Sequence, residues 1–205
     1  MQATRQLIPV VILLLAFGGG AILLFLAVTA GEPVPVRASI LPEPRALPAF
    51  SLTNQQGTTF TPEPLRAEWR LIFFGFTHCP DICPATLQQL AIARKQVVGN
   101  GDLFPGIVLV SVDPERDTPE ILETYLRNFG SDLTGLTGTV GAVRELTRPL
   151  GVYFKKSGDL DADYGVDHSS VVLLVDDRAN WRAVFSAPHD VDSFVHDISL
   201  LMEAG

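Results

Sequence analysis

Cys79 and Cys83 are the only cysteines of this 205-residue chain, and three residues separate them. They sit in Phe76-Thr77-His78-Cys79-Pro80-Asp81-Ile82-Cys83-Pro84, where an apolar run gives way to a helical pattern. Backbone N–H groups at a helix start, with the dipole behind them, favour the thiolate, the form that attacks and binds metals. If the first turn is helical, positions 79 and 83 lie one turn apart on the same face. Two sulfurs can then converge on a single soft ion or close reversibly into a disulfide. A structural staple explains the pair less well. Disulfide-stapled secreted domains spread more cysteines along the chain, and so short a loop removes little chain entropy. Pro80 and Pro84 restrict the backbone after each cysteine and should preorganise the pair.

Three intervening residues open the pair relative to the Cys-x-x-Cys of thioredoxins and leave room for a third ligand. Two thiolates and an imidazole suit copper, with sulfur favouring Cu(I) and nitrogen accommodating Cu(II). Zinc accepts the same donors, and ligand type leaves both metals open. His168 stands in Asp163-Tyr164-Gly165-Val166-Asp167-His168-Ser169-Ser170, a loop entering the apolar run 171–175. In a thioredoxin-like sheet that loop faces the cysteine turn, and Asp167 and the serines are available to hold the imidazole. The plain alternative is a surface histidine. His78 is expected to be an exposed neighbour of Cys79, and His189 and His196 surface residues. Asp113 and Arg116 follow a buried strand and suit either an ion pair or partner docking. Asp81 is expected to cap the helix that follows. Met1 and Met202 are the only methionines, so any copper must use the Cys/His set.

The elements that must position these residues read as follows. Residues 50–52 and 58–60 flank Asn54-Gln55-Gln56-Gly57 as a hairpin. Residues 70–76 (RLIFFGF) form a strand buried on both faces, its phenylalanines in the core. A helix is expected over 85–97 and a second buried strand over 107–112. Thr118-Pro119-Glu120 then opens a helix, with a hydroxyl cap, proline in the first turn and an acid beside it. A further helix follows over 139–150, and residues 152–155 suit a short strand. Strands 171–175 and 181–185 pair across 176–180, and a last amphipathic helix starts at 191. This order implies a three-layer α/β fold with a mixed central sheet.

Residues 7–30 carry no charge and are long enough to cross a bilayer, which takes roughly 20 apolar residues. A signal peptide has a shorter apolar region, about 7–15 residues, although Val28-Thr29-Ala30 resembles a cleavage site. The reading is an uncleaved anchor over 1–30, a proline-rich spacer over 31–48 and one domain over 49–205. Arg5 precedes the span, which places the domain away from the cytoplasm. The formal charge is −8; Arg5 being the only charged side chain before Glu32, the remainder carries −9. No basic patch supports nucleic-acid binding.

Cys-Pro-Asp-x-Cys-Pro at 79–84, Val-Asp-Pro-Glu-Arg-Asp-Thr-Pro at 112–119 and Tyr-Gly-Val-Asp-His-Ser at 164–169 together resemble the Sco (SenC) family over roughly residues 45–200. The resemblance implies a thioredoxin-like fold and one copper held by Cys79, Cys83 and His168. It implies delivery of copper to the dinuclear centre of cytochrome c oxidase subunit II, or reduction of that subunit's cysteines. Other copper chaperones or thiol reductants are further expected partners. The expected location is a bacterial inner membrane with the domain in the periplasm, or else the mitochondrial inner membrane facing the intermembrane space. A metallochaperone is favoured over an enzyme. The rival is a tethered thiol–disulfide oxidoreductase in which Cys79 attacks and Cys83 resolves. A thiol peroxidase is disfavoured, since no Pro-x-x-x-Thr/Ser-x-x-Cys arrangement precedes Cys79. A copper or redox sensor is inseparable from the chaperone by sequence.

Overall fold

A computed structural model describes residues 34–158 and 164–204. Its centre is β4 (Arg70–Gly75), in which every residue after Arg70 is buried. Such a run, apolar on both faces, can only be satisfied in the middle of a sheet. It pairs in parallel with β5 (Gly106–Ser111), in register from Arg70 opposite Gly106 to Gly75 opposite Ser111. On its other side runs β9 (Val171–Val175), antiparallel. The link from β4 to β5 is α1 (Ile82–Gly99), which buries Cys83, Leu87, Leu90 and Val97 at helical spacing. From β5 the chain passes through α2 (Pro119–Leu126) to β6 (Thr134–Thr137), again parallel to β5. The Thr118 hydroxyl accepts the Ile121 N–H at 3.4 Å, as the Thr-Pro-Glu signal implies.

The outer strands are β1 (Ala38–Ala46), β2 (Leu52–Asn54), β3 (Thr59–Phe60) and β10 (Asn180–Ser186). The full order is β1-β10-β9-β4-β5-β6-β2-β3, an eight-stranded mixed sheet. The 50–60 hairpin turns through Gly57 at φ 76°, and Asn54 Oδ1 accepts the Gln56 and Thr58 N–H groups. After β6 come α3 (Val140–Thr147) and a separate two-stranded ribbon, β7 (Phe154–Ser157) with β8 (Gly165–His168). The chain ends in α4 (Val191–Glu203), which packs on α1 through a face holding Phe194, Ile198 and Leu201. The mixed α/β architecture read from the pattern is thus present, with four α-helices among the described residues.

The spacer expected over 31–48 is corrected in its second half. Residues 38–46 form β1, antiparallel to β10, with a register shift between Ile40 and Arg45 that spans Pro42 and Pro44. An edge strand tolerates proline because half its N–H groups face no partner, and a bulge absorbs the missing donors. Just before it, Asp197 of α4 accepts the backbone N–H groups of Val36, Arg37 and Ala38, each at 2.8 Å. Residues 1–33, where the anchor was expected, lie outside the described residues, among which no helix is long and apolar enough to cross a membrane.

Asp197 generates a prediction. Burial acts to raise its pKa but is outweighed by hydrogen bonds from His196 and the three amides, so it titrates below the ordinary carboxylate range. The folded chain therefore binds this proton less tightly than the unfolded one. The stability is complete above the unfolded pKa of about 3.9 and is lost as pH falls through the lower folded value. Asp197→Asn should cost about 2–3 kcal/mol at neutral pH, the scale of lost charge-assisted hydrogen bonds. Urea melts should show that difference shrinking as the buffer is taken below about pH 4.

Candidate metal centre

The chain leaves β4 at Gly75, and the close packing there explains why that residue is glycine. A Cβ on Gly75 would stand 2.8 Å from Phe73 Cε1 and 3.1 Å from Cys83 Sγ. Phe76 O then accepts the Cys79 N–H at 3.3 Å, and α1 begins at Ile82. Asp81 occupies the cap position, yet its side chain makes no capping bond, which corrects the role expected of it. The acceptor is sulfur instead: the Cys83 N–H points to Cys79 Sγ at 3.4 Å. The helix-start amide thus meets the Cys79 sulfur rather than a carboxylate.

Both thiols are unbridged, and their settings differ: Cys83 is buried, whereas Cys79 is partly exposed. Burial first, then the hydrogen bond with Cys79, pushes the Cys83 thiol far above its ordinary range, against a lowering by the Phe76 backbone. Burial therefore holds a proton on Cys83.

His168 ends β8 rather than lying in a loop, and its Nε2 is 3.5 Å from Cys83 Sγ. Its Nδ1 lies 3.2 Å from Ser169 O. A carbonyl can only accept, so the proton sits on Nδ1 and the Nε2 lone pair faces the thiol. Burial lowers the imidazole pKa, which keeps the ring neutral. Phe76 presents its ring in a T-shaped contact at 5.7 Å. Of the side chains expected to hold the imidazole, none does so directly. Asp167 accepts from Ser157 Oγ at 3.1 Å, and Ser169 Oγ accepts the Tyr153 N–H at 3.0 Å.

Among the described residues, no three His, Cys, Asp or Glu side chains are already closed around one point. The structure instead brings Cys83 and His168 together, with Cys79 beside Cys83 at the mouth. A cleft of about 470 Å³ opens there, lined by Cys79, Pro80, Asp81, Asp167 and His168 among others. The donor set of two sulfurs and one unprotonated nitrogen fits a soft or borderline cation.

Behind the cysteine turn, Asp117 accepts from Thr77 Oγ1 and Ser111 Oγ, both at 2.6 Å, and from the Thr77 N–H at 3.1 Å. Burial raises its pKa, opposed by those three bonds. Asp113 and Arg116 form an ion pair. Asp117 and Thr77 were not singled out in the sequence, although both belong to the quoted motifs. His78 is exposed as expected, with Nδ1 3.0 Å from Thr77 Oγ1. His196 is also exposed. His189 is not a surface residue: it is half-buried, stacks on Phe194 at 5.4 Å and reaches Ser170 O at 3.2 Å.

The SCO1/SenC family model matches residues 40–203. The chain belongs to the SCO1/SenC family. It is 39% identical to the mitochondrial SCO1 homolog 1 of Arabidopsis thaliana over 149 residues, 73% of this chain but 45% of that protein. It is 32% identical to the SCO2-like protein of Rickettsia felis, with 95% of this chain and 98% of that one covered. Among solved structures, Arabidopsis ScoI with copper bound is similar at TM-score 0.72 and 37% identity, over 77% of this chain and 98% of that one. Yeast Sco1 with copper bound is similar at TM-score 0.73 and 29% identity, over 79% and 91%. This SCO1/SenC chain thus shares its fold with copper-bound relatives.

The unequal burial of the thiols predicts their reactivity. A limiting alkylating agent should modify Cys79 at least about tenfold faster than Cys83, since burial both shields the Cys83 thiol and holds its proton. Peptide mass spectrometry of a quenched time course reads the ratio, and equal rates would contradict the described asymmetry.

Proposed function

We propose that the protein holds one copper ion through Cys79, Cys83 and His168 and passes it on by ligand exchange, serving the dinuclear copper centre of cytochrome c oxidase subunit II. The observation that carries this reading is the neutral His168 Nε2 aimed at Cys83 Sγ at 3.5 Å, with Cys79 alongside. Copper would displace the proton that burial holds on Cys83 and recruit Cys79 from the cleft mouth. Relatives of the same fold are described with copper bound, and the identity to them is high enough to carry family membership. The match covers under half of the Arabidopsis protein.

A second reading has its own support. Both thiols are free, and the Cys83 N–H donates to Cys79 Sγ, which keeps the two cysteines neighbours at one helix start. Cys79 would attack a partner disulfide, Cys83 would resolve the mixed species, and the partner would leave with two thiols. For location, we propose a single-pass anchor over residues 7–30 and a domain in the periplasm or the mitochondrial intermembrane space. The uncharged apolar run and the positive-inside reading of Arg5 support it.

A Cu(I) competition titration of the reduced protein tests the first reading. One equivalent should bind tightly, and His168→Ala should weaken binding at least about tenfold, or 1.4 kcal/mol. Cys83→Ser should abolish stoichiometric binding, because an alcohol does not replace a soft thiolate. Equal affinity of wild type and His168→Ala would remove the histidine from the site and move the dithiol reading ahead.

A further inference from the structure

The β7–β8 ribbon stands outside the eight-stranded sheet, and two strands alone are marginally stable in water. Yet His168 is the last residue of this ribbon. Whatever fastens the ribbon to the body therefore sets where the imidazole stands relative to Cys83.

Val166 of β8 is buried in the core, and a second, polar fastening is made by Tyr164, the residue before β8. Its hydroxyl donates to Asp113 Oδ1 at 2.9 Å. The Arg116 guanidinium carbon lies 3.8 Å from its ring centroid, close enough for a stacked cation–π contact. Lys156 of β7 approaches the same ring, with Nζ at 4.4 Å, and pairs with Glu115. Arg116 in turn pairs with Asp113 and lies 5.9 Å from the Phe76 ring, the ring that contacts His168. The loop after β5 thus grips the ribbon from outside while Phe76 supports the imidazole from inside, and Arg116 touches both.

We infer that Tyr164 and Arg116 are positioning residues of the metal site: their stacked contact locks the β7–β8 ribbon to the loop after β5 and so holds His168 Nε2 within reach of Cys83. Neither residue supplies a ligand. Arg116 suits the role because a planar guanidinium lies face-on against the ring while its fixed fork pairs with a carboxylate, a geometry that a point-like ammonium lacks. The inference rests on the copper reading for its metal readouts, and it has a metal-free readout besides.

The test compares Tyr164→Leu, Tyr164→Phe and Arg116→Lys with wild type and His168→Ala in the full chain. In metal-free protein, Tyr164→Leu should lose the nuclear Overhauser contact between Phe76 and His168 and speed amide exchange across β8. Its Cu(I) affinity should fall about tenfold, and its Cu(II) form should lose nitrogen hyperfine coupling in the electron paramagnetic resonance spectrum. The double variant with His168→Ala should bind no more weakly than His168→Ala alone, since both remove one contribution. Tyr164→Phe, which keeps the ring, should restore the hyperfine pattern, and Arg116→Lys should behave like Tyr164→Leu. If Tyr164→Leu fails to fold, the last two variants decide. Wild-type hyperfine coupling and affinity in Tyr164→Leu, or in Arg116→Lys where that variant decides, would overturn the inference, as would full additivity with His168→Ala. If wild type binds no copper, the copper reading fails alone, and the Phe76–His168 contact still decides the positioning role.

Discussion

Asp117 is fully buried, and it accepts three hydrogen bonds from two neighbouring strand ends: Ser111 closes β5, and Thr77 stands two residues beyond β4. A carboxylate without partners would be prohibitive there. With its donors in place it ties the carboxyl ends of two parallel strands together, where open α/β sheets place their sites. The cysteine turn therefore starts from a fixed point. Gly75 then lets the Cys83 sulfur pack against the strand end. Loss of the carboxylate would release the turn before it touched either thiol, so the chemistry at Cys79 depends on a residue that no ligand meets.

The two sulfurs share one helix start but not one environment. Cys83 is sealed behind Phe76, Gly75 and the imidazole, and burial holds its proton in place. Cys79 takes a helix amide and faces the cleft. On the copper reading, an incoming donor would meet Cys79 first and Cys83 last, so the exposed ligand would exchange before the buried pair. The same asymmetry suits disulfide chemistry, with an accessible attacker and a sheltered resolver. One geometry thus supports both readings, and the histidine is what separates them.

Much of this was legible from residue types. The apolar run of β4, the Thr118-Pro119-Glu120 helix start and the β9–β10 hairpin each carry a local signal, and each stands where that signal puts it. The cysteine turn and His168 were visible as motifs, and the structure brings Cys83 and His168 together. What escaped has tertiary causes. β6 is Thr-Gly-Leu-Thr, too short for periodicity, and exists because β5 and β2 flank it. Residues 38–46 contain prolines that argue against a ladder, but β10 offers an edge. Asp81 reads as a cap by type, yet the Cys79 sulfur takes the amide. His189 looked like decoration because nothing local announces the Phe194 ring it stacks on. The grip of Tyr164 on Arg116 joins residues far apart in the chain, and no window of sequence contains it.

The two ends of the large sheet have a consequence for how the molecule behaves in a crowd. β1 is interrupted by Pro42 and Pro44 with a register shift between Ile40 and Arg45, and β3 is only two residues long. Unpaired strand edges invite other chains to add to the sheet, and prolines, bulges and brevity all discourage this. Neither end of this sheet offers a straight run of free backbone groups for a neighbour to continue. Growth of this sheet by addition of further chains is thereby discouraged at both rims.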